Sequence, residues 1–300
     1  MDTLPVVAAV DGSEDSRRAL DWALAAARRR GAPLRVAHVR HHSAWSPPGA
    51  PVAVPPPPED DPVLADVRAR LAEAGDRPET EYLALDGAPG VLLPELGAQA
   101  QLLVLGSRGR GGFTSLLLGS NGLTAARDAE CPVVVVPRPG REVDAGFPAG
   151  PGPRVVVGLK VDGPDDAALG LAFTEAALRG ARLQAVAAYP WPVQTWAAPE
   201  ELVLPAHDQE AVEHETRVLA DGFLAPHRAR HPEVRAEALA APGDAAGLLV
   251  AASKGAELLV VGRHRRRLLA PARMLGSVTH AVLMHAASPV AVVPPAPAEE

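Results

Sequence analysis

The sequence contains little cysteine, no long apolar run and no excess of positive charge, and each shortage excludes a class of protein. Cys131 is the single cysteine, so an internal disulfide and a cysteine-based zinc site are excluded, and we expect its side chain to be a small buried group. No apolar run approaches the roughly 20 residues of a membrane-spanning helix. The first residues, MDTLPVVAAVDG, include a proline and an aspartate where a signal peptide needs basic residues. We therefore expect a cytoplasmic protein with no membrane partner.

Charge and length narrow the classes further. The formal net charge is −7, and the basic residues, of which only Lys160 and Lys254 are lysines, are scattered among acidic ones. Such a distribution offers no basic face, so nucleic acid is not an expected partner. A chain of 300 residues that is 47% hydrophobic is long enough for two domains, each with its own core.

An internal repeat also indicates two domains. Three blocks of the first half recur in the second at offsets of 149, 156 and 157 residues: VVAAVDG at 6–12 with VVVGLKV at 155–161, LLVLG at 102–106 with LLVVG at 258–262, and PVVVVP at 132–137 with PVAVVP at 289–294. The offset drifts in one direction, as loop insertions between two copies of one fold would produce. We place domain 1 at 1–138, a Pro/Gly-rich linker at 139–153 and domain 2 at 154–300.

Within each copy, short apolar β-branched runs alternate with helical stretches rich in Ala and Leu. In the first copy the pattern predicts strands at 5–10, 34–40, 80–85, 101–105 and 132–136, and helices at about 14–30, 62–74, 89–98 and 120–128. Ser13 as N-cap and Gly31 as a left-handed stop bound the first helix. Strands this apolar are covered on both faces, which is typical of a parallel sheet. We therefore predict an α/β protein with two tandem doubly wound, Rossmann-like domains.

Two proline-rich stretches interrupt this pattern, at 41–61 and at 190–206. Their proline density excludes regular helix or strand. A mobile surface segment is the simpler interpretation, and a flap over a ligand, with Trp45 or Trp191 as the contact, is the alternative.

The segment GSRGRGGFTSLLLGSN at 106–121 has five glycines, two arginines and no acid. It directly follows a predicted strand, and in open parallel sheets ligands bind at the carboxyl ends of the strands. Its glycines allow positive φ and close approach, so successive backbone N–H groups can converge on an anion. The helix that begins at its end would point its first N–H groups at the same anion. These features predict a polyphosphate site, with a tight chain reversal as the alternative, and match neither a Walker loop nor a dinucleotide fingerprint.

The spacing Gly106-x2-Gly109-x9-Gly119-Ser120 resembles the nucleotide motif of the universal stress protein family, in its ATP-binding branch. VDGS at 10–13, after the first strand, and CPV at 131–133, before the last, are further hallmarks in the right order. The resemblance covers both halves, so the chain is similar to the tandem universal stress proteins of actinobacteria. It implies the fold of the adenine nucleotide alpha hydrolases and the role of an ATP-binding, nucleotide-responsive regulator of stress or dormancy.

The resemblance also implies a role for particular residues. Asp11, with Ala9 and Val10 before it, would accept a bond from a ribose hydroxyl, and Val39 or its neighbour would offer backbone atoms to adenine. Two further groups would hold the rest of the nucleotide: Gly106, Ser107, Arg108, Gly109, Arg110, Gly111 and Gly112 around the ribose and phosphates, and Gly119, Ser120 and Asn121 at the terminal phosphates. Magnesium would be bound through the phosphates, since no dedicated carboxylate cage is evident.

The second copy departs from this motif. Arg265 stands where the second glycine belongs, the loop is one residue longer, and Lys160 takes the place of Asp11. An arginine is strained in a left-handed turn, and a lysine cannot accept a hydrogen bond from ribose. We therefore expect weak or no ATP binding at this degenerate second site: Lys160, Gly262, Arg263, Arg265, Gly276 and Ser277. The basic run at 263–267 is interpreted as a solvated face, with a remodelled anion site or a partner-docking patch as alternatives.

An enzyme is the main alternative to a regulator. DGSEDS at 11–16 echoes the Ser-Gly-Gly-x-Asp-Ser loop of the related hydrolases but departs from it at Asp11 and Ser13. The sequence shows no evident catalytic group or metal site, although Ser115 or Ser120 could accept a phosphoryl group. The alternatives are a slow ATP-hydrolysing or nucleotide-transferring enzyme of the same superfamily, weak autophosphorylation, and a ligand-free scaffold. The resemblance further implies an unknown protein partner and pairing of the last strands, within a chain as a pseudo-dimer or between chains as a homodimer.

Overall fold

The computed structural model describes residues 3–40, 57, 60–73, 75, 77–109, 118–141, 143, 150–190, 209–263 and 275–296. The chain divides into two compact units. Unit 1 comprises Met1–Gly140, Arg265–Leu275 and Pro289–Pro294. Unit 2 comprises Arg141–His264, Gly276–Ser288 and Pro295–Glu300.

Strands and helices alternate along the described chain, except that one strand, Arg154–Gly158, directly follows another, Val133–Val136. In order they are β1 Val6–Ala9, α1 Glu14–Arg30, β2 Leu34–Arg40, α2 Pro62–Glu73, β3 Thr80–Asp86, α3 Pro89–Leu96, β4 Leu102–Gly106, α4 Ser120–Asp128, β5 Val133–Val136, β6 Arg154–Gly158, α5 Asp166–Arg179, β7 Arg182–Tyr189, α6 Gln209–Arg230, β8 Ala236–Pro242, α7 Ala245–Ala252, β9 Leu258–Gly262, α8 Ser277–His285 and β10 Val290–Val293. The predicted α/β class with mostly parallel strands is confirmed.

The predicted elements of the first copy are present, with small errors at their ends. The bounds of α1, β2 and α4 are as predicted, whereas β1 begins after Pro5 and ends at Ala9. Helix α3 ends at Leu96 and is followed by a 3₁₀ turn, Gly97–Gln99, so the predicted end at Ala98 is wrong. Cys131 is buried, as expected.

Local signals explain where α1 begins and ends. The Ser13 hydroxyl accepts a hydrogen bond from the Ser16 N–H, and Gly31 at the other end has φ 58°. Acidic residues occupy the first turn and arginines the last, which suits the helix dipole. An alanine- and leucine-rich face, which includes the fully buried Ala19, Leu20 and Ala23, covers β1 and β4. The burial of this face fixes the helix on the sheet.

The sheet of unit 1 has the order β3-β2-β1-β4-β5-β10, in which β10 is antiparallel to β5 and the other neighbours are parallel. Strand β1 lies between β2 and β4, with Val6 opposite Leu34 on one side and Leu102 on the other. The strand order therefore reverses between β1 and β4. Their carboxyl ends form the crevice in which open α/β sheets bind ligands.

Unit 2 has a parallel sheet in the order β9-β6-β7-β8, with the same reversal between β6 and β9. The connection from β6 to α5 is longer than that from β1 to α1, and Asp165 caps α5 by accepting a bond from the Ala168 N–H. In the part of the chain that the structure describes, no helix combines the length and apolar character needed to cross a bilayer.

Candidate functional site

Asp11 lies just beyond the carboxyl end of β1, beside the reversal point of unit 1. Its Oδ1 accepts a hydrogen bond from the Ser13 N–H at 3.0 Å, and Ser13 in turn caps α1. The capping role is thus divided, because Ser13 caps the helix and Asp11 holds the turn before it. The second carboxylate oxygen, Oδ2, points towards the glycine loop, as the contacts of Gly109 show.

Two glycines of the loop lie against the protein's own groups. A Cβ built on Gly106 would lie 2.6 Å from the carbonyl carbon and oxygen of Asp15, so a side chain there would collide with the backbone of α1. A Cβ built on Gly109 would lie 2.6 Å from Asp11 Oδ2. Gly106 is therefore required by the packing of β4 on α1, and Gly109 brings bare backbone against the Asp11 carboxylate.

The glycines that the structure describes in this loop do not use the positive φ that glycine allows. Neither Gly106 nor Gly109 has a positive φ, and Gly119 has φ −78°. Gly106 and Gly109 are small because neighbouring groups lie close to them, whereas Gly119 leaves open space beside the helix start. A left-handed backbone is not the reason for glycine at these positions. Among the described residues, the nearest atoms to a Cβ on Gly119 would be Ser107 O at 3.7 Å and Arg108 Cα at 3.8 Å.

A backbone hydrogen bond joins the two ends of the loop. The Gly119 N–H donates to Ser107 O at 2.8 Å, and the Ser107 N–H donates to Val136 O at 3.0 Å. Gly119 is the N-cap of α4 and provides no side-chain cap, and the first turn of α4 has no acid. Ser120 and Asn121, the first residues of the helix, are exposed. This helix start can accept an anion.

Only some of the remaining predicted residues of the first site lie within the described part of the chain. Arg108 is half-buried beside the loop end, whereas Arg110, Gly111 and Gly112 lie outside the described residues, as do Ser115 and both predicted flap tryptophans. Ala9 pairs with Ala37 of β2, and the Val10 N–H donates to Ala37 O at 2.9 Å. Val39 lies one residue before the end of β2, partly exposed, opposite Leu85 of β3.

Sequence reasoning missed a buried carboxylate at this site. The Asp15 side chain, only 1% exposed, is contacted by Arg138 Nε at 2.8 and 3.0 Å from its two oxygens. The Arg18 guanidinium also donates to it, and the Ser107 hydroxyl donates to its Oδ2 at 3.3 Å. Its one sequence signal is the acidic first turn of α1, which predicts a favourable dipole interaction but not burial.

A second buried carboxylate, Asp61, lies beside β2. Its Oδ1 accepts hydrogen bonds from the Val63 and Leu64 N–H groups at 3.0 Å, and His38 Nδ1 lies 2.8 Å from Oδ2. Burial raises the pKa of Asp61, but the hydrogen bonds from Leu64, His38 and Val63 outweigh it, and the pKa lies below its ordinary value. Asp61 therefore stays ionised and caps α2.

The corresponding place in unit 2 is built differently. Lys160 is exposed and its Nζ lies 3.2 Å from Asp162 Oδ1. A Cβ on Gly262 would lie 2.2 Å from the Asp165 carboxylate, so an acidic side chain lies against the end of β9. The Thr279 hydroxyl donates to Gly262 O at 2.9 Å.

The helix start survives in unit 2. Gly276 is the N-cap of α8, ahead of Ser277, again without a side-chain cap. Arg263 is buried beside β9, whereas Arg265 and the rest of the basic run lie beyond the described residues. Across the described parts of both units, no group of three or more His, Cys, Asp or Glu side chains is arranged to hold a metal ion.

Comparisons with known proteins agree with the sequence resemblance. The sequence model of the Universal stress protein family matches residues 4–137 and again residues 153–294. Universal stress protein Rv2005c of Mycobacterium tuberculosis is 34% identical over 294 residues, which cover 96% of this chain and 96% of that protein. Universal stress protein Rv2623 of the same species is 28% identical over 311 residues, covering 97% of this chain and 96% of that protein.

A solved structure shares the fold. A universal stress protein from Archaeoglobus fulgidus matches with a TM-score of 0.66, covering 99% of this chain and 98% of that chain at 18% sequence identity. The two matches of the family model fall on the two copies of the repeat, one after the other.

Proposed function

Because the chain belongs to the universal stress protein family, we propose that unit 1 binds ATP and that the protein acts as a nucleotide-responsive regulator of stress or dormancy. One observation carries the proposal. At the reversal point of the sheet, the Asp11 carboxylate lies against the bare backbone of Gly109, and the uncapped start of α4 is tied to the same loop through Ser107. An acceptor for ribose and a donor set for phosphate are thus adjacent.

The two ends of the nucleotide would meet different chemistry. Asp11 Oδ2 would accept a hydrogen bond from a ribose hydroxyl, since an ionised carboxylate only accepts. The first N–H groups of α4, at Ser120 and Asn121, would donate to the terminal phosphates with the help of the helix dipole. Arg108 and Arg110 would neutralise phosphate charge. Magnesium, where present, would be bound through the phosphates, supplying further charge neutralisation.

Unit 2 retains a helix start but has lost the ribose acceptor. Lys160 stands at the Asp11 position, and a lysine cannot accept a hydrogen bond from a ribose hydroxyl. We propose that unit 2 binds ATP weakly or not at all.

A regulatory role would follow from nucleotide binding without catalysis. Nucleotide bound between residues 106–109 and 119–121 would favour one arrangement of the loop, and a protein partner would read that arrangement. Pairing of chains or of the two copies stays a prediction. We propose that the protein is not an enzyme and that any ATP hydrolysis is slow.

Calorimetric titration with ATP, AMP, cyclic AMP and adenosine, together with a phosphate-release assay, tests this function. We expect one ATP site per chain, and fewer than about one turnover per minute, well below ordinary enzyme rates. The variant Asp11→Asn tests the ribose contact, and Lys160→Gln is its matched control in unit 2. Absence of ATP binding would reject the proposal, and rapid phosphate release would show an enzyme instead.

A further inference from the structure

The Asp15 carboxylate is buried beside the glycine loop, although the proposed ATP binding assigns no contact to it. Burying an ionised carboxylate is unfavourable unless other charges and hydrogen bonds compensate it. The start of α1, two guanidinium groups and one hydroxyl provide that compensation. Such complete pairing indicates that Asp15 holds its surroundings in one arrangement.

The contacts of Asp15 form a chain that leads to the start of α4. The Asp15 backbone lies against Gly106, and its side chain accepts the hydroxyl proton of Ser107, which is itself 1% exposed. The carbonyl oxygen of Ser107 accepts the Gly119 N–H at 2.8 Å. Asp15 therefore holds Ser107, and Ser107 fixes the residue from which the helix begins.

Arg138 determines the charge of this cluster. Arg18 also lies 3.2 Å from the Glu14 carboxylate, so with both arginines present the cluster of Glu14, Asp15, Arg18 and Arg138 is neutral. Without Arg138, one arginine would face two carboxylates, and the net negative charge beside the loop would be less favourable for a polyphosphate. Arg138 Nε bridges both oxygens of Asp15 at 2.8 and 3.0 Å while its side chain stays half-exposed.

The second copy of the repeat lacks this arrangement. At the repeat offsets, Pro164 replaces Asp15, Arg263 replaces Ser107 and Pro295 replaces Arg138. Proline has no polar side chain, so positions 164 and 295 provide neither the carboxylate nor the guanidinium group of the unit 1 cluster. The combination of Asp15, Ser107 and Arg138 thus occurs in the copy with the intact glycine spacing and is not repeated at the corresponding positions of the degenerate one.

We infer that Asp15 and Arg138 are positioning residues for phosphate binding in unit 1. Asp15 holds Ser107, and with it the start of α4, in the arrangement that receives the phosphates, and Arg138 cancels the charge that Asp15 brings to the site. The inference rests on the proposed function, since it concerns the same site.

The test compares ATP with adenosine, which lacks the phosphates, by titration calorimetry. We expect Arg138→Gln to weaken ATP binding by about tenfold and to leave adenosine binding unchanged, because only the phosphates sense the charge. The double variant Asp15→Asn/Arg138→Gln removes both charges and should recover ATP affinity to within about threefold of the natural chain. Arg138→Lys should bind ATP more tightly than Arg138→Gln.

Arg70→Gln is the matched control, since it removes an arginine from an exposed ion pair with Asp21 in the same unit. It should leave both affinities unchanged, and unfolding midpoints establish that each variant is folded. If Arg138→Gln and Arg70→Gln bind ATP with equal affinity, the inference is overturned. It is also overturned if the double variant binds ATP no more tightly than Arg138→Gln. A natural chain that binds neither ATP nor adenosine would overturn the proposed function itself, and this inference with it.

Discussion

The N-cap of α4 is the position at which a ligand and the fold make different demands. Gly119→Ala adds one methyl group, whose nearest neighbours among the described residues would be Ser107 O at 3.7 Å and Arg108 Cα at 3.8 Å. These are ordinary contact distances, and φ −78° suits any residue. The fold should therefore accept alanine at a cost of at most about 1 kcal/mol, from the poorer N-cap preference of alanine.

A phosphate seated against the same backbone would collide with this methyl group. We expect ATP affinity to fall by at least about tenfold, which corresponds to about 1.4 kcal/mol, as measured by titration calorimetry. Gly276→Ala is the matched control, because Gly276 is the N-cap of α8 with φ −61° and has no side-chain cap either. It should lose similar stability and leave ATP affinity unchanged.

Gly106→Ala should show the opposite behaviour. Its methyl group would lie 2.6 Å from backbone atoms of Asp15, so α1 or β4 must shift, at a cost of roughly 1–3 kcal/mol. The unfolding midpoint should drop by roughly 2–4 °C for each kcal/mol lost.

If Gly119→Ala binds ATP as tightly as the natural chain, or if Gly276→Ala weakens ATP binding equally, the start of α4 is not the phosphate site.

Three further predictions concern stability. His227 Nδ1 accepts from Arg230 and its Nε2 donates to Asp166, and burial lowers the pKa of His227 despite that carboxylate. Below about pH 6.5 the unfolded chain gains a proton at His227 that the folded chain does not, so the free energy of unfolding should decrease as the pH is lowered. In urea unfolding, His227→Gln should show a flatter dependence of stability on pH. The pKa of Asp61 is lowered in the fold, so its ionised form stabilises the protein above the ordinary pKa of about 3.9, and this stabilisation is lost as the pH falls. At neutral pH, Asp61→Ala should cost about 1 kcal/mol or more in chemical unfolding. Asp61→Asn should cost less, because asparagine still caps α2. Gly31→Ala should cost about 1 kcal/mol in thermal unfolding, because φ is 58° and no described residue comes within 4 Å of an added Cβ. A cost near zero would contradict a purely backbone origin.

Several features could be predicted from the sequence because their causes are local. The bounds of α1 follow from Ser13 and Gly31, whose capping acts within one helical turn. The position of β2 follows from a short apolar run between turn residues. The glycine spacing of the loop is likewise visible in the sequence, as is the loss of the second glycine at Arg265.

Only the tertiary structure decided what individual residues of the site do. The sequence predicts glycine at 106 for a ligand, yet the backbone of α1 occupies that space, because the register of β1 and β4 brings Gly106 against Asp15. Arg138 and Asp15 lie 123 residues apart and give no shared signal in the sequence. Their pairing depends on β5 ending beside the start of α1, and a contact between distant segments exists only once the sheet that joins them has formed.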